Sequence, residues 1–414
     1  MAPKILCFFA GFVTTLYGFA QKSIRESSYF PSKKFGKGIL NLVDKDSTWS
    51  MNFSARMQFL ATTNFWAEGI KSETEPSSLF SIRRARLKFN GFAFSPKLTY
   101  KIELGLSNND ISGANEFTSN APRIIYDAVL KWNFFENLEL WMGQTKLPGN
   151  RERVISSGDM QMVDRSLLNK YFNIDRDIGF QLRHSFKVAN KFLIREIFAI
   201  SQGEGRNITK GNLGGFQYTS RIEMLPFGLF TGSKGDYKGA DLKRESKPKL
   251  ALGFTYDFNN NAVKTRSNMG SYMRNDIDFH KTNITTIFGD AMFKYKGVSF
   301  MGEYACRRSQ EAIARNSDGS IVLNDQGDQV VVLEGNALNL QAGYLFMNNW
   351  EVSARYGYLT FTDITDKPAV NNYTLGFSKY IAGHQLKVQT DIGYIDEKLV
   401  ANRFLYRLQV DIHF

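Results

Sequence analysis

The chain has 414 residues, 52 Lys and Arg against 40 Asp and Glu, and a formal net charge of +12, an excess that ordinarily points to nucleic acid or an anionic surface. Two cysteines exclude a disulfide framework, and beyond the N-terminal run no stretch is long and apolar enough to span a bilayer as a helix. With 35 Phe, 18 Tyr, only 9 Pro and a mean hydropathy of −0.30, the composition suits a β-barrel whose strands are half lipid-facing and half wetted.

Lys4 precedes the apolar run Ile5 to Phe19, and Gly18-Phe19-Ala20 forms a small-x-small cleavage site before Gln21. Residues 1–20 therefore read as a signal peptide cleaved near Ala20; an uncleaved anchor is the alternative, but the run falls short of the ~20 residues a spanning helix needs. Cys7 lies within that signal, which leaves Cys306 alone in the mature chain. Export removes nucleic acid from the expected partners and places the basic excess at a membrane. Residues 21–48 are polar and glycine-containing, a periplasmic lead-in with no clear fold of its own.

From residue 49 the pattern alternates apolar and polar. The first strand covers about 49–65, with Trp49, Met51, Phe53, Ala55, Met57 and Phe59 outward and Arg56 among the inward residues. The second covers about 80–94, with Ala85, Leu87 and Phe89 outward and Arg84, Arg86 and Lys88 inward. A Ser95-Pro96 turn, where proline costs no ladder bond, leads to a third strand alternating Leu98, Tyr100, Ile102 and Leu104 with Thr99, Lys101 and Glu103. Thirteen further strands follow near 124–134, 138–146, 178–186, 192–201, 216–225, 249–258, 285–296, 298–306, 337–346, 350–358, 372–380, 384–394 and 403–414. Arg195 and Glu196 break the alternation in 192–201, and 229–247 is too long for the short-turn side. The last strand has Phe404, Tyr406, Leu408, Val410, Ile412 and the terminal Phe414 on one face.

The fold class expected is all-β: a transmembrane antiparallel β-barrel of about sixteen strands, with short periplasmic turns, long external loops and both ends periplasmic. Trp49, Tyr126, Trp132, Trp350, Tyr356 and Tyr394 read as interfacial girdle residues. Segment 307–336 reads as a long external loop holding its own hairpin.

Parity places Arg56, Arg84, Arg86, Lys88, Lys101, Lys131, Arg183, Arg221, Lys249, Lys294, Lys296, Arg355, Lys387, Arg403 and Arg407 inside. The same parity places Glu103, Asp127, Glu139, Glu223, Asp290, Glu303, Glu351, Asp391 and Asp411 there. A positive lumen concentrates anions, because a low-dielectric wall focuses the field. The bland alternative is that these arginines bridge acids across strands and hold the barrel open. His280, in an external loop beside Asp276 and Asp278, is the one plausible catalytic base, but no serine elbow accompanies it; no catalytic group, metal site or cofactor is expected.

Several short motifs occur in a fixed order: Ile82-Arg83-Arg84-Ala85-Arg86-Leu87, Gly143-Gln144-Thr145-Lys146-Leu147-Pro148, Arg165-Ser166-Leu167, Arg176-Asp177-Ile178-Gly179, Arg221-Ile222-Glu223, and Lys296-Gly297-Val298 before Gly302-Glu303-Tyr304. In these the chain resembles the phosphate-selective porin O and P family of outer-membrane proteins. The resemblance implies a sixteen-stranded homotrimeric porin of the bacterial outer membrane, with the third external loop folded into the lumen. Here that constriction loop is 147–177, carrying Arg151, Arg153, Arg165, Lys170 and Arg176. Its near-balance of acids and bases points to internal salt bridges, so porin activity carries over more readily than phosphate selectivity. The expected partners are outer-membrane lipid and lipopolysaccharide, small anions including phosphate, and the barrel-assembly machinery through Phe414. A plugged barrel acting through its external loops, as a ligand-binding or adhesive protein, is the alternative.

Overall fold

A computed structural model describes residues 28–29, 35–66, 77–189, 191–232, 234–397 and 402–414. The signal peptide and cleavage site expected at residues 1–20 lie outside the described residues. Sixteen strands form the wall: β1 Ser50–Trp66, β2 Ser77–Ala93, β3 Ser95–Gly105, β4 Ile125–Phe135, β5 Leu138–Lys146, β6 Arg176–Lys187, β7 Leu193–Ser201 and β8 Gln217–Leu225. They continue as β9 Lys249–Ala262, β10 Thr282–Tyr295, β11 Val298–Ser309, β12 Gly335–Leu345, β13 Trp350–Phe361, β14 Val370–Tyr380, β15 Leu386–Glu397 and β16 Arg403–His413. Every strand pairs antiparallel with its sequence neighbours, and β16 closes on β1 from Arg403↔Trp66 to His413↔Arg56. Closure removes the unpaired edges that an open sheet would present to lipid.

The period-2 pattern is what makes this wall. In β10 every second residue is buried along the whole strand, while Phe254, Tyr304, Leu340, Tyr373 and Phe404 of other strands stand exposed on the outer face. Strand 192–201 is present as β7; Arg195 turns inward and Glu196 outward, where it meets His184 at 3.2 Å near the short-turn end. Short turns and long loops alternate as expected, with one exception that the sequence flagged by its length. Segment 226–248 starts on the short-turn side and folds up into the barrel, its Gly239 amide donating to Asp159 O at 2.8 Å. The lead-in is not formless throughout: Leu40–Val43 pairs with Ser50 to Phe53 of β1, beside the seam where β16 ends. Segment 307–336 holds three short bridged stretches, Ile313↔Val331, Arg315↔Ile321 and Leu323↔Gln329, a small meander where one hairpin was expected.

The core lies inside the barrel, on one side. The 147–177 loop, expected as the constriction loop, carries two short α-helices, Arg151–Val154 and Leu167–Phe172. Its Leu168, Phe172 and Ile174 pack on inward Phe288, Ala305, Ala337 and Leu359. Ile155 and Met160 of the same loop join Leu225, Phe230, Ala251 and Met292. Each fully buried side chain of this kind contributes roughly 1.5–3 kcal/mol, which is why the loop occupies the lumen and not the solvent.

Candidate functional site

Two β-bulges shape the wall opposite this core. Register runs Gln58↔Arg84 and then Phe59↔Ile82, so Arg83 is an extra residue in β2. It also runs Glu103↔Asp127 and then Leu104↔Ile125, so Tyr126 is an extra residue in β4. A bulge re-aims side chains locally. Arg83 accordingly reaches Asp164 of the constriction loop at 2.8 Å. Tyr126, expected in the lipid-facing girdle, is instead buried inside, its hydroxyl donating to Asp110 at 2.8 Å. The parity count misplaced it because it assumed no inserted residue.

Between β2–β7, the constriction loop and segment 226–248 lies a cavity of about 1180 Å³. Its lining runs from Arg83 and Asn109 near the long-loop end to Asn137 and Lys187 at the short turns, and includes fourteen Lys and Arg against five Asp and Glu. Some of these cations are compensated. Arg86 pairs with Glu103 at 3.0 Å and Asp110 at 2.7 Å, Lys101 with Glu103 at 2.7 Å, and Arg176 with Asp127 at 3.0 Å. The ring of Tyr126 lies 4.0 Å from Arg86, 4.6 Å from Arg176 and 4.0 Å from Arg206.

Other cations direct their side-chain donors to neutral groups and not to carboxylates. Arg84 donates to Gln58 Oε1 at 2.6 Å. Arg165 donates to the carbonyls of Glu152 and Ile155 at 3.1 and 2.9 Å. Burial pulls its guanidinium down to about 10, which leaves it charged at neutral pH. Lys146 donates to the carbonyls of Arg153, Val154 and Ile155 at 2.8, 3.2 and 3.1 Å. Toward the short turns, Trp141 stands in register between Lys131 and Gln181, with Lys131 Nζ and the Arg183 guanidinium carbon each 3.8 Å from its ring. An aromatic face steadies a cation without cancelling its charge.

The remaining expected residues are placed differently. Arg56 and Arg221 face inward but are sealed away from the cavity: Arg56 grips Asp411 with two hydrogen bonds of 2.9 and 2.8 Å, and Arg221 pairs with Glu223 at 2.9 Å and Asp290 at 2.7 Å. Both side chains are paired with carboxylates across strands, the arrangement of the bland alternative. Lys88 faces inward opposite Glu103 in register, outside the cavity lining. In the loop, Arg153 lines the cavity while paired with Asp175; Arg151 is wholly buried against Asp290 at 2.7 Å; Lys170 is exposed beside the ring of Tyr171. His280 is buried, with Nε2 3.4 Å from the Glu311 carbonyl, and Asp276 bonds Ser317 instead. Sequence reading missed Asp110, Trp141, Lys234 and Lys238 as lining residues; of these only Trp141, alternating with Leu140 and Met142, carried a periodic signal.

The barrel superposes on porins of known structure. It matches an anion-selective porin from Comamonas acidovorans with TM-score 0.53 at 10% identity, over 88% of this chain and 100% of that one. OmpF of Salmonella typhi, in complex with daunomycin, matches with TM-score 0.54 at 14% identity over 89% and 99%. A loop L8 deletion mutant of OmpT from Vibrio cholerae matches with 0.51 at 11% over 88% and 99%. At such identities the likeness is one of fold: a closed sixteen-stranded antiparallel barrel. An uncharacterized protein of Aquifex aeolicus (strain VF5) is 26% identical over 363 residues, 81% of this chain and 80% of that protein. Over residues 67–221, the stretch that builds most of the cavity wall and the constriction loop, the chain matches the family model described as phosphate-selective porin O and P, and the family resemblance read from its motifs holds there.

Proposed function

We propose that the protein is an outer-membrane porin through which small anions diffuse passively, phosphate and other oxyanions among them. The observation that carries this reading is the cavity lining, fourteen cations against five acids along one side of the barrel. Cations within a Debye length of one another in a narrow, low-dielectric wall sum their fields, so anions are concentrated and cations repelled. Compensated members such as Arg86 shape the wall, whereas Arg84, Arg165, Lys131 and Arg183 supply the field. Guanidinium groups suit oxyanions because their planar fork binds two oxygens at once. The reading includes export by cleavage near Ala20, recognition of Phe414 by the assembly machinery, contact of the external loops with lipopolysaccharide, and assembly as a homotrimer. No chemistry is assigned to the barrel.

The second reading, a plugged barrel that binds ligands or surfaces through its loops, draws on the packing of the constriction loop and segment 226–248 against the inner wall. Single-channel conductance in a planar bilayer separates the two, with the reversal potential taken under a potassium chloride gradient and repeated with added phosphate. Anion-selective conductance reduced by phosphate is the expected result. An absence of conductance overturns the porin reading.

A further inference from the structure

Segment 226–248 sorts its charges. Its acids are buried: Asp236 accepts from Arg195 at 2.6 Å, Asp241 accepts from the amides of Glu245 and Gly297, and Glu245 accepts from the Thr231 amide at 2.6 Å. Its exposed charges are all basic. Lys243 and Lys247 of this segment stand on the short-turn rim together with Lys187 and Lys191 around the β6–β7 turn and Lys296 of the β10–β11 turn. None of these five lysines forms an ion pair among the described residues, and Arg244 spends its guanidinium on the carbonyls of Leu345 and Phe346 at the β12–β13 turn. Adjacent strands are ~4.8 Å apart, so successive turns on one rim sit ~10 Å apart, about a Debye length, and their lysines form one positive patch that attracts external anions. Exposed apolar tips stand among the same turns: Val188, Phe227, Phe346 and Met347 are 44–83% exposed.

We propose that this sector of the rim, from the β6–β7 turn to the β12–β13 turn, is a docking surface for anionic phospholipid headgroups of the leaflet on the short-turn side. The apolar tips enter the acyl boundary while the lysines meet phosphates, the pairing by which basic juxtamembrane clusters recognise anionic lipid. An acidic protein would satisfy the charge but leave the apolar tips unaccounted for. This rests on the membrane placement of the proposed function.

The test compares the full-length protein with a Lys243→Gln, Lys247→Gln, Lys296→Gln variant, none of these positions lining the cavity. Both are placed in phosphatidylcholine vesicles with and without phosphatidylglycerol, and the shift in thermal unfolding midpoint and the lipids retained in native mass spectra are read. Phosphatidylglycerol should raise the midpoint of the natural protein and be retained by it; the variant should lose at least half of both effects with conductance and ion selectivity unaltered. Equal lipid preference in both proteins overturns the proposal, as does equal stabilisation by inorganic phosphate in phosphatidylcholine alone. Binding of polyglutamate without any lipid preference overturns it in favour of an acidic protein partner. A natural protein that retains phosphatidylglycerol but does not conduct would overturn the porin reading and leave the docking surface standing.

Discussion

Tyr126 donates its hydroxyl to Asp110 at 2.8 Å, from a strand position that an unbroken alternation would have aimed at lipid. The bulge that turns it inward joins β4 to the external loop holding Asp110, and puts an aromatic face beside three arginines. Tyr126→Leu removes both the hydroxyl and that face. The expected loss is about 1–3 kcal/mol of stability, the sum of a charge-assisted hydrogen bond and cation–π contacts. Tyr126→Phe should lose about 1 kcal/mol, the hydrogen bond alone. Urea unfolding in detergent micelles measures both, and equal stability of all three proteins would contradict the packing role.

Lys131 and Arg183 flank Trp141 and form no ion pair among the described residues, so neither is spent on a carboxylate. In water two unit charges 4–8 Å apart interact by about 0.5–1 kcal/mol, or two- to fivefold in occupancy. Lys131→Glu combined with Arg183→Glu should therefore lower the anion-to-cation permeability ratio several-fold while the barrel still folds. The reversal potential under a salt gradient reads this directly. Arg86→Glu is a poorer probe, because it would set a third carboxylate beside Glu103 and Asp110 and unsettle the wall itself.

The wall was legible in the sequence because period 2 and turn length are local signals: each of the sixteen strands, the side of each turn and the inward basic excess follow from them. What was not legible is non-local. Arg56 and Asp411 meet across the barrel seam, 355 residues apart, and Arg355 reaches Glu152 from 203 residues away at 2.9 Å. Nothing in either neighbourhood says that these arginines are spent on acids while Arg183 is not. Bulges fail for a related reason: an extra residue at Arg83 or Tyr126 shifts the parity of one strand relative to its partner, and only the pairing shows it. Segment 226–248 announced itself by excess length, but its destination depended on Asp236 finding Arg195 inside.

That destination suggests a mechanical test. Arg151, Arg195 and Arg221 meet Glu223, Asp236 and Asp290 in one buried network that ties the constriction loop, the wall and segment 226–248 together. Removing one member of a buried pair strands its partners and costs about 3–5 kcal/mol. Asp236→Asn should therefore lower stability on that scale, and by loosening the segment it should raise single-channel conductance and its noise. Lower stability with identical conductance would place the segment's hold elsewhere, in the Phe230 and Met292 cluster.

The outer face makes the opposite demand. Leu87 stands in register with Ala55 and Leu104 on the lipid side of β2, one residue from inward Arg86. A cation is welcome at 86 because acids and a wet cavity meet it, and unwelcome at 87 because hydrocarbon does. Leu87→Arg should cost about 2–4 kcal/mol if it lies near the bilayer midplane, whereas Leu87→Phe, which keeps the face apolar, should stay within about 1 kcal/mol. Reversible unfolding from lipid vesicles gives both values. A Leu87→Arg barrel as stable as the natural one would mean that this stretch of β2 is shielded from lipid, as it would be if a second copy of the chain covered it, and cross-linking through a cysteine at 87 would then identify the neighbour.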